Sequence, residues 1–344
     1  MNPSRLVIAG ARYYWRTNLA VIAGVAAAVA VLAGALLVGD SVRGSLRDLV
    51  LQRLGRTDRI VVSTGFFREG LADDLRGDPA FGAAYSDICP LIVMQGFVTD
   101  QTSGRRASRV DVYGVDDRFW RFHQIKGRGG PEDRTAFVSP ALAGDIGVSE
   151  GSTALVRVER PSAIPMESLH GRKEDPGRTL RLTVRAILQP ADLGDFSIRP
   201  RQGEVRAIFV PLRRLQQDLE QARMVNALIV ADRSAAANDA LQPLLKKYAT
   251  LDDFGLTLRT LDAQRSLVLE AKAGLLDSAR AAAADRAASG AGTTARPVLT
   301  YLANTLRSGD RQVPYSLVTA IDLSSIANLQ LPIGNRQSPI DRWC

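Results

Sequence analysis

The stretch from Leu19 to Gly39, LAVIAGVAAAVAVLAGALLVG, contains no charged residue. Coiled as a helix at about 1.5 Å per residue it reaches roughly 31 Å, the thickness of a bilayer's hydrocarbon core. A secretory signal peptide also begins with basic residues, but its apolar middle is only about 7–15 residues long. A helix buried in a soluble core keeps a polar face, and none is visible between Leu19 and Val38. The segment therefore reads as a membrane span, and no other window of the 344 residues is long and apolar enough to be a second.

Ala20, Gly24 and Ala28 recur at four-residue spacing, as do Ala30 and Gly34. Small residues so placed either let another membrane helix approach closely or are simple apolar filler. With no Asp, Glu, Lys, Arg or His inside it, the span holds nothing suited to an ion or proton relay.

The flanks give opposing signals about orientation. Arg5, Arg12 and Arg16 precede the span and Tyr13, Tyr14 and Trp15 form an aromatic belt, which favours a short cytoplasmic amino terminus. Arg43, Arg47, Arg53, Arg56 and Arg59 follow it, and a strict count of basic residues would put that side inside. Long domains cross membranes largely regardless of their charge, so we expect the large domain to be extracytoplasmic. The formal net charge of +8 is dispersed along the chain, as on a solvated surface, and not gathered as a nucleic-acid footprint requires. Cys89 and Cys344 are too few for a disulfide framework and lack CxxC spacing.

Along the chain, residues 1–18 read as an entry helix lying at the membrane surface, 19–39 as the span and 40–59 as a stalk. Val42, Leu46, Leu49, Val50 and Leu54 keep a helical period after Gly39, and Gly55 is a natural terminator. The expectation is one rod from Leu19 to Leu54, with Gly39 and Gly44 its weak points. Beyond it, strands are expected at Ile60, Leu91, Arg109, Thr153, Leu180, Val205, Asn226 and Leu256. Arg181, Thr183 and Arg185 alternate with Leu182, Val184 and Ala186, as in a sheet with one wet face. Ser139 and Pro140 suit an N-cap and first turn, and Leu212, Leu215 and Leu219 have helical spacing. The strong helix formers from Leu261 to Ala288 suggest a long exposed helix before the flexible run SGAGTT. The fold class is α+β.

Signatures of catalysis are missing. No GxxxxGK[ST] or GxSxG occurs, and GVSEGST, from Gly147 to Thr153, lacks the lysine and reads as a turn. His123 and His170 are the only histidines and sit in no zinc-binding pattern. The pairs Asp73 and Asp74, Asp116 and Asp117, and Asp252 and Asp253 are of the kind that mark turns and helix starts. The run RFWRFHQIKGR, from Arg118, interleaves aromatic and basic residues, yet reads more simply as an amphipathic helix with Phe119, Trp120 and Phe122 supplying core or partner contact. No residue is assigned to catalysis, cofactor or metal.

Several stretches in order resemble permease subunits of ABC transporters of the FtsX-like and MacB-like type. ARYYWRTNLAVIAGVAAAVAVLAGALLVGDSVRGSLRDLVLQRLGR, from Ala11 to Arg56, resembles their first span and stalk. VYGVDDRFWRF from Val112, VSPALAGDIGVSEGSTALVRV from Val138, IFVPLRRLQQDLEQARMVNALIV from Ile208 and YLANTLRSGDRQVPYSLVTAID from Tyr301 resemble their periplasmic core domain. The resemblance implies an extracytoplasmic MacB-like α+β domain over 60–322, a cytoplasmic ATP-binding subunit as partner, a permease dimer, and transmission of ATP-driven motion along the stalk. Such permeases carry three further spans, so the expectation is an amino-terminal portion of one, with 323–344 a divergent or truncated tail. The alternative is a single-pass anchored binding or scaffold domain. A membrane-anchored enzyme is a third class, for which no nucleophile, base and metal set can be assembled.

Overall fold

The structure is a computed structural model, and it describes residues 3–159, 177–201, 203–234, 240–272 and 274–321. Helix α1 (Pro3–Tyr13) is followed at once by α2 (Trp15–Leu54), an unbroken rod of 40 residues through Gly39 and Gly44. At about 1.5 Å per residue it is roughly 60 Å long, twice what a bilayer's apolar core demands. The expected entry helix thus stops at Tyr13, and residues 15–18 already belong to the rod. Among the described residues α2 is the one helix long and apolar enough to cross a membrane.

The remaining elements are mixed. Strands β1 (Arg59–Arg68), β2 (Tyr85–Asp100) and β3 (Arg106–Val115) enclose the short helices α3 (Leu71–Arg76) and α4 (Pro79–Ala84). Helix α5 (Asp117–Phe122), β4 (Thr135–Val138), α6 (Pro140–Ile146), β5 (Thr153–Glu159) and β6 (Gly177–Ile187) follow. Then come β7 (Ala207–Pro211), α7 (Leu212–Asp218), β8 (Met224–Asp232) and α8 (Leu241–Tyr248). The fold is α+β, as the alternation of patterns in the sequence implied.

The eight strands pair in the order β1-β8-β2-β3-β7-β4-β6-β5, and β5 pairs again with β2. Six of them therefore close on themselves through the long strand β2, which pairs with β8 over Tyr85–Leu91 and with β5 over Gly96–Asp100. Gly96 permits the closure: a Cβ there would lie 2.5 Å from the Arg157 carbonyl oxygen.

Pleating sends alternate residues to opposite sides of this sheet. Val110, Val112, Val156, Leu182, Val184, Ile208 and Val210 enter one core, covered by residues of α3, α4, α6, α7 and α8. Tyr113, Val115, Phe209, Ala227 and Ile229 enter another, built around Phe119, Trp120 and Phe122 of α5. Strands buried on both faces read as continuous apolar runs, as NALIVA in β8 does. In β6, Arg181, Thr183 and Arg185 are exposed while Leu182 and Val184 are buried, so its wet face is where the alternation put it.

The chain divides into two units between Leu258 and Arg259, inside the stretch 60–322 that the sequence reading took as one domain. Past the division lie the end of β9 (Leu256–Leu261), its partner β10 (Ser266–Ala271), helix α9 (Ser278–Gly290) and the hairpin of β11 (Val298–Ser308) and β12 (Arg311–Ile321). The long helix expected from Leu261 to Ala288 is corrected here. Its first part is strand β10, Gly274 turns the backbone at φ +77, and the helix starts only after Asp277, whose carboxylate caps it by accepting the Arg280 N–H at 2.7 Å. The alanines favour a helix, but they follow a cap and a turn that interrupt its expected length.

Candidate functional site: the joint between helix and head

The place where structure bears most directly on function is the end of α2, where an exposed rod meets a packed sheet. Every residue from Trp15 to Asp48 is exposed, whereas Leu49, Val50, Arg53 and Leu54 are partly covered and Thr57 is buried. The transition from rod to fold takes less than two turns of helix.

Gly55 ends the helix with φ +57 and ψ −122, and its N–H donates to the Gln52 carbonyl at 3.2 Å. Such a backbone is open essentially only to glycine. Space forbids a side chain as well, because a Cβ would lie 2.7 Å from His123 Nδ1 and 3.2 Å from Leu193. The sequence reading of Gly55 as a terminator holds, and its reason is tertiary as well as local.

Five hydrogen bonds hold the helix end. The Ser197 N–H donates to the Arg53 carbonyl at 3.3 Å, and the Arg53 guanidinium donates to the carbonyls of Arg201 at 2.7 Å and Gly203 at 2.9 Å. The Arg56 N–H donates to His123 Nδ1 at 3.2 Å, while its guanidinium donates to the Phe122 carbonyl at 2.8 Å. A cation suits the last turn of a helix, where carbonyl dipoles accumulate. Beyond the joint, Asp58 N–H donates to the Val230 carbonyl at 3.0 Å and β1 begins pairing with β8.

The path continues inward. Arg201 donates to Asp111 at 2.9 Å, and Asp111 sits on β3 with its side chain 1% exposed. Burial raises the Asp111 carboxyl's pKa, and Arg201 and Arg199 oppose that rise. The same arginine that receives the helix through its carbonyl therefore anchors to the sheet through its side chain.

His123 forms the floor of the joint. It is 8% exposed, edge-on to Phe119, Phe122 and Phe196 at ring separations of 4.7, 4.9 and 5.4 Å. Because Nδ1 accepts a hydrogen bond, the neutral ring carries its proton on Nε2, which is buried without a hydrogen-bond partner. Burial, with the neighbouring Arg56 charge, lowers its pKa to about 3.

The other residues singled out in the sequence fall into supporting places. Asp116 caps α5 by accepting the Arg118 N–H at 2.9 Å, and Arg118 bridges Asp116 and Glu69. Asp73 and Asp74 lie in the first turn of α3, and Asp252 and Asp253 in that of a short 3-10 helix, where Asp253 pairs with Arg68 at 2.9 Å. Gly147–Thr153 links α6 to β5 as a turn. Cys89 is buried, and burial raises its pKa. His170 and Cys344 lie outside the described residues. Among the described residues no three of His, Cys, Asp and Glu gather in a way that could hold a metal ion. What sequence reasoning missed is the pairing of Gly55 and Arg56 with His123, since no local signal ties residues so far apart.

No family model matches this chain, and no curated protein matches it. Among solved structures it is similar to the periplasmic region of MacB from Actinobacillus actinomycetemcomitans, at 10% identity and a TM-score of 0.35, covering 64% of this chain and 91% of that one. It is also similar to the extracellular domain of the noncanonic ABC-type transporter YknZ from Gram-positive bacteria, at 10% identity and a TM-score of 0.36, covering 61% of this chain and 97% of that one.

Proposed function

We propose that the chain is a membrane permease-type subunit, or the amino-terminal portion of one, that passes ATP-driven motion from a cytoplasmic ATP-binding partner to an extracytoplasmic head. The observation that carries this reading is the continuity of α2: one uninterrupted helix runs from an apolar half to a glycine-capped end held by the head's own backbone. A helix that merely anchored a soluble domain would need neither the extra length nor a joint of this kind. The order of permease-like stretches in the sequence supports the same reading.

Mechanically, the apolar part of α2 lies in the bilayer and its continuation is the stalk. A tilt or shift of the helix reaches the head at Arg53 and Arg56 and enters the sheet through Arg201 and Asp111 on one side and His123 on the other. The chain has no ATPase activity of its own in this scheme, and a second permease chain completes the transporter. Purification from native membranes in mild detergent tests it: a nucleotide-binding subunit should co-purify, and hydrolysis should require that subunit. ATP hydrolysis by the isolated chain, or its recovery from membranes with no such partner, would contradict the proposal and favour an anchored scaffold.

A further inference from the structure

The wet face of the closed sheet is unusually uniform in charge. Register places Arg106 of β3, Thr99 of β2, Leu155 of β5 and Arg181 of β6 in one row across four strands. The next row holds Phe97, Arg157 and Thr179, and Arg185 lies further along β6 on the same side as Arg181. Neighbouring strands are about 4.8 Å apart and residues rise about 3.3 Å along each, so these positions share a patch roughly 20 Å across. Arg106, Arg157, Arg181 and Arg185 are all exposed. Arg106 stacks over Phe97 at 4.1 Å, which fixes its plane while leaving its N–H groups outward.

Opposite charge is scarce there. Among the described residues of β2, β3, β5 and β6, Glu159 is the only exposed carboxylate, since Asp100 and Asp111 are buried and Asp87 is half-buried beside Arg76. Some arginines elsewhere on the head are answered locally, as in Arg59 with Asp232, Arg178 with Glu220 and Arg206 with Asp145, while Arg121, Arg213 and Arg233 stand singly among the described residues. No such pairing is made by Arg106, Arg181 or Arg185 among the described residues. Like charges held on one rigid face repel one another, and a partner of opposite sign relieves that repulsion.

We propose that this face docks an acidic segment of a partner protein, with carboxylates taken in bidentate fashion by Arg106, Arg181 and Arg185 and an apolar side chain seated against Phe97. Planar guanidinium groups match carboxylates, and arginine with an aromatic neighbour is the composition of protein interfaces. The inference concerns the head alone and stands whether or not an ATPase drives the chain.

The test uses the full chain in detergent and a fluorescein-labelled peptide of alternating glutamate and alanine, followed by anisotropy as salt is raised. The combined variant Arg106→Gln, Arg181→Gln, Arg185→Gln should bind about tenfold more weakly or worse, with a shallower salt dependence. The corresponding Arg→Lys variant, which keeps the charge, should still lose about threefold or more because lysine lacks the fork. Removing equal charge elsewhere, with Arg121→Gln, Arg213→Gln and Arg233→Gln, should leave binding within about twofold. Equal losses in the two glutamine variants, no loss in either, or no peptide binding at all would overturn the proposal. So would phosphatidylglycerol vesicles showing the dependence on Arg106, Arg181 and Arg185 that the peptide does not, which would make the face a lipid site.

Discussion

Helix α2 and strand β8 are built from much the same small and branched apolar residues, yet every side chain of α2 between Trp15 and Asp48 is exposed while Val225 to Ala231 in β8 are all buried. The sheet satisfies its apolar residues with protein on both faces. The rod has no protein to lie against, and exposed aliphatic surface on that scale is compatible only with lipid or another helix. Equal hydrophobicity thus takes two forms, an exposed apolar helix over residues 19–39 and a sheet buried on both faces.

The contrast can be broken most strongly from the sheet side. Trp120 is fully buried and packs edge-on against Phe119 and Phe137, so Trp120→Ala should cost about 3–5 kcal/mol and lower the head's unfolding temperature without altering membrane recovery. Leu32→Arg should do the reverse. A cation at mid-span costs about 2.5–3.5 kcal/mol of insertion, and the chain should shift from the membrane pellet to the supernatant after alkaline extraction while a thermal scan of the head stays unchanged.

The joint should respond on both counts, but less. Gly55→Ala puts a side chain into a glycine-only conformation against His123, at a cost of up to about 3 kcal/mol, and should increase hydrogen exchange at Arg56 and Thr57 more than in β8. Acid offers a gentler probe. The folded pKa of His123, about 3, lies below its ordinary value of about 6.5, so the neutral ring's contribution is complete above that value and is lost as the pH falls toward about 3. Between pH 7 and pH 5 the loss should come to about 2 kcal/mol, seen as a falling denaturant midpoint that His123→Gln flattens.

Much of the fold was legible because local chemistry agreed with tertiary structure. Ser139 caps α6, accepting the Leu142 N–H at 3.2 Å, and Pro140 follows it as expected. Of the two uses the amphipathic reading left open for Phe119, Trp120 and Phe122, core and partner contact, the fold takes the core. Strand β4 is only four residues long and buried at Ala136, Phe137 and Val138, so it shows no alternation to read. In β10, Leu267, Val268 and Leu269 lay among strong helix formers and lost to them in the sequence reading. The joint was half legible: a glycine at the end of a helical period is a local signal, but the ring that closes over it comes from α5's far end, and only the folded sheet brings the two together.

Orientation across the membrane is the central claim, and impermeant thiol labelling tests it most directly. In a chain with Cys89 and Cys344 replaced by serine, Ser108→Cys places one exposed thiol on β3. Intact spheroplasts treated with a membrane-impermeant maleimide should label that thiol fully, with no increase when the membrane is permeabilised. Labelling only after permeabilisation would put the head in the cytosol and contradict the account.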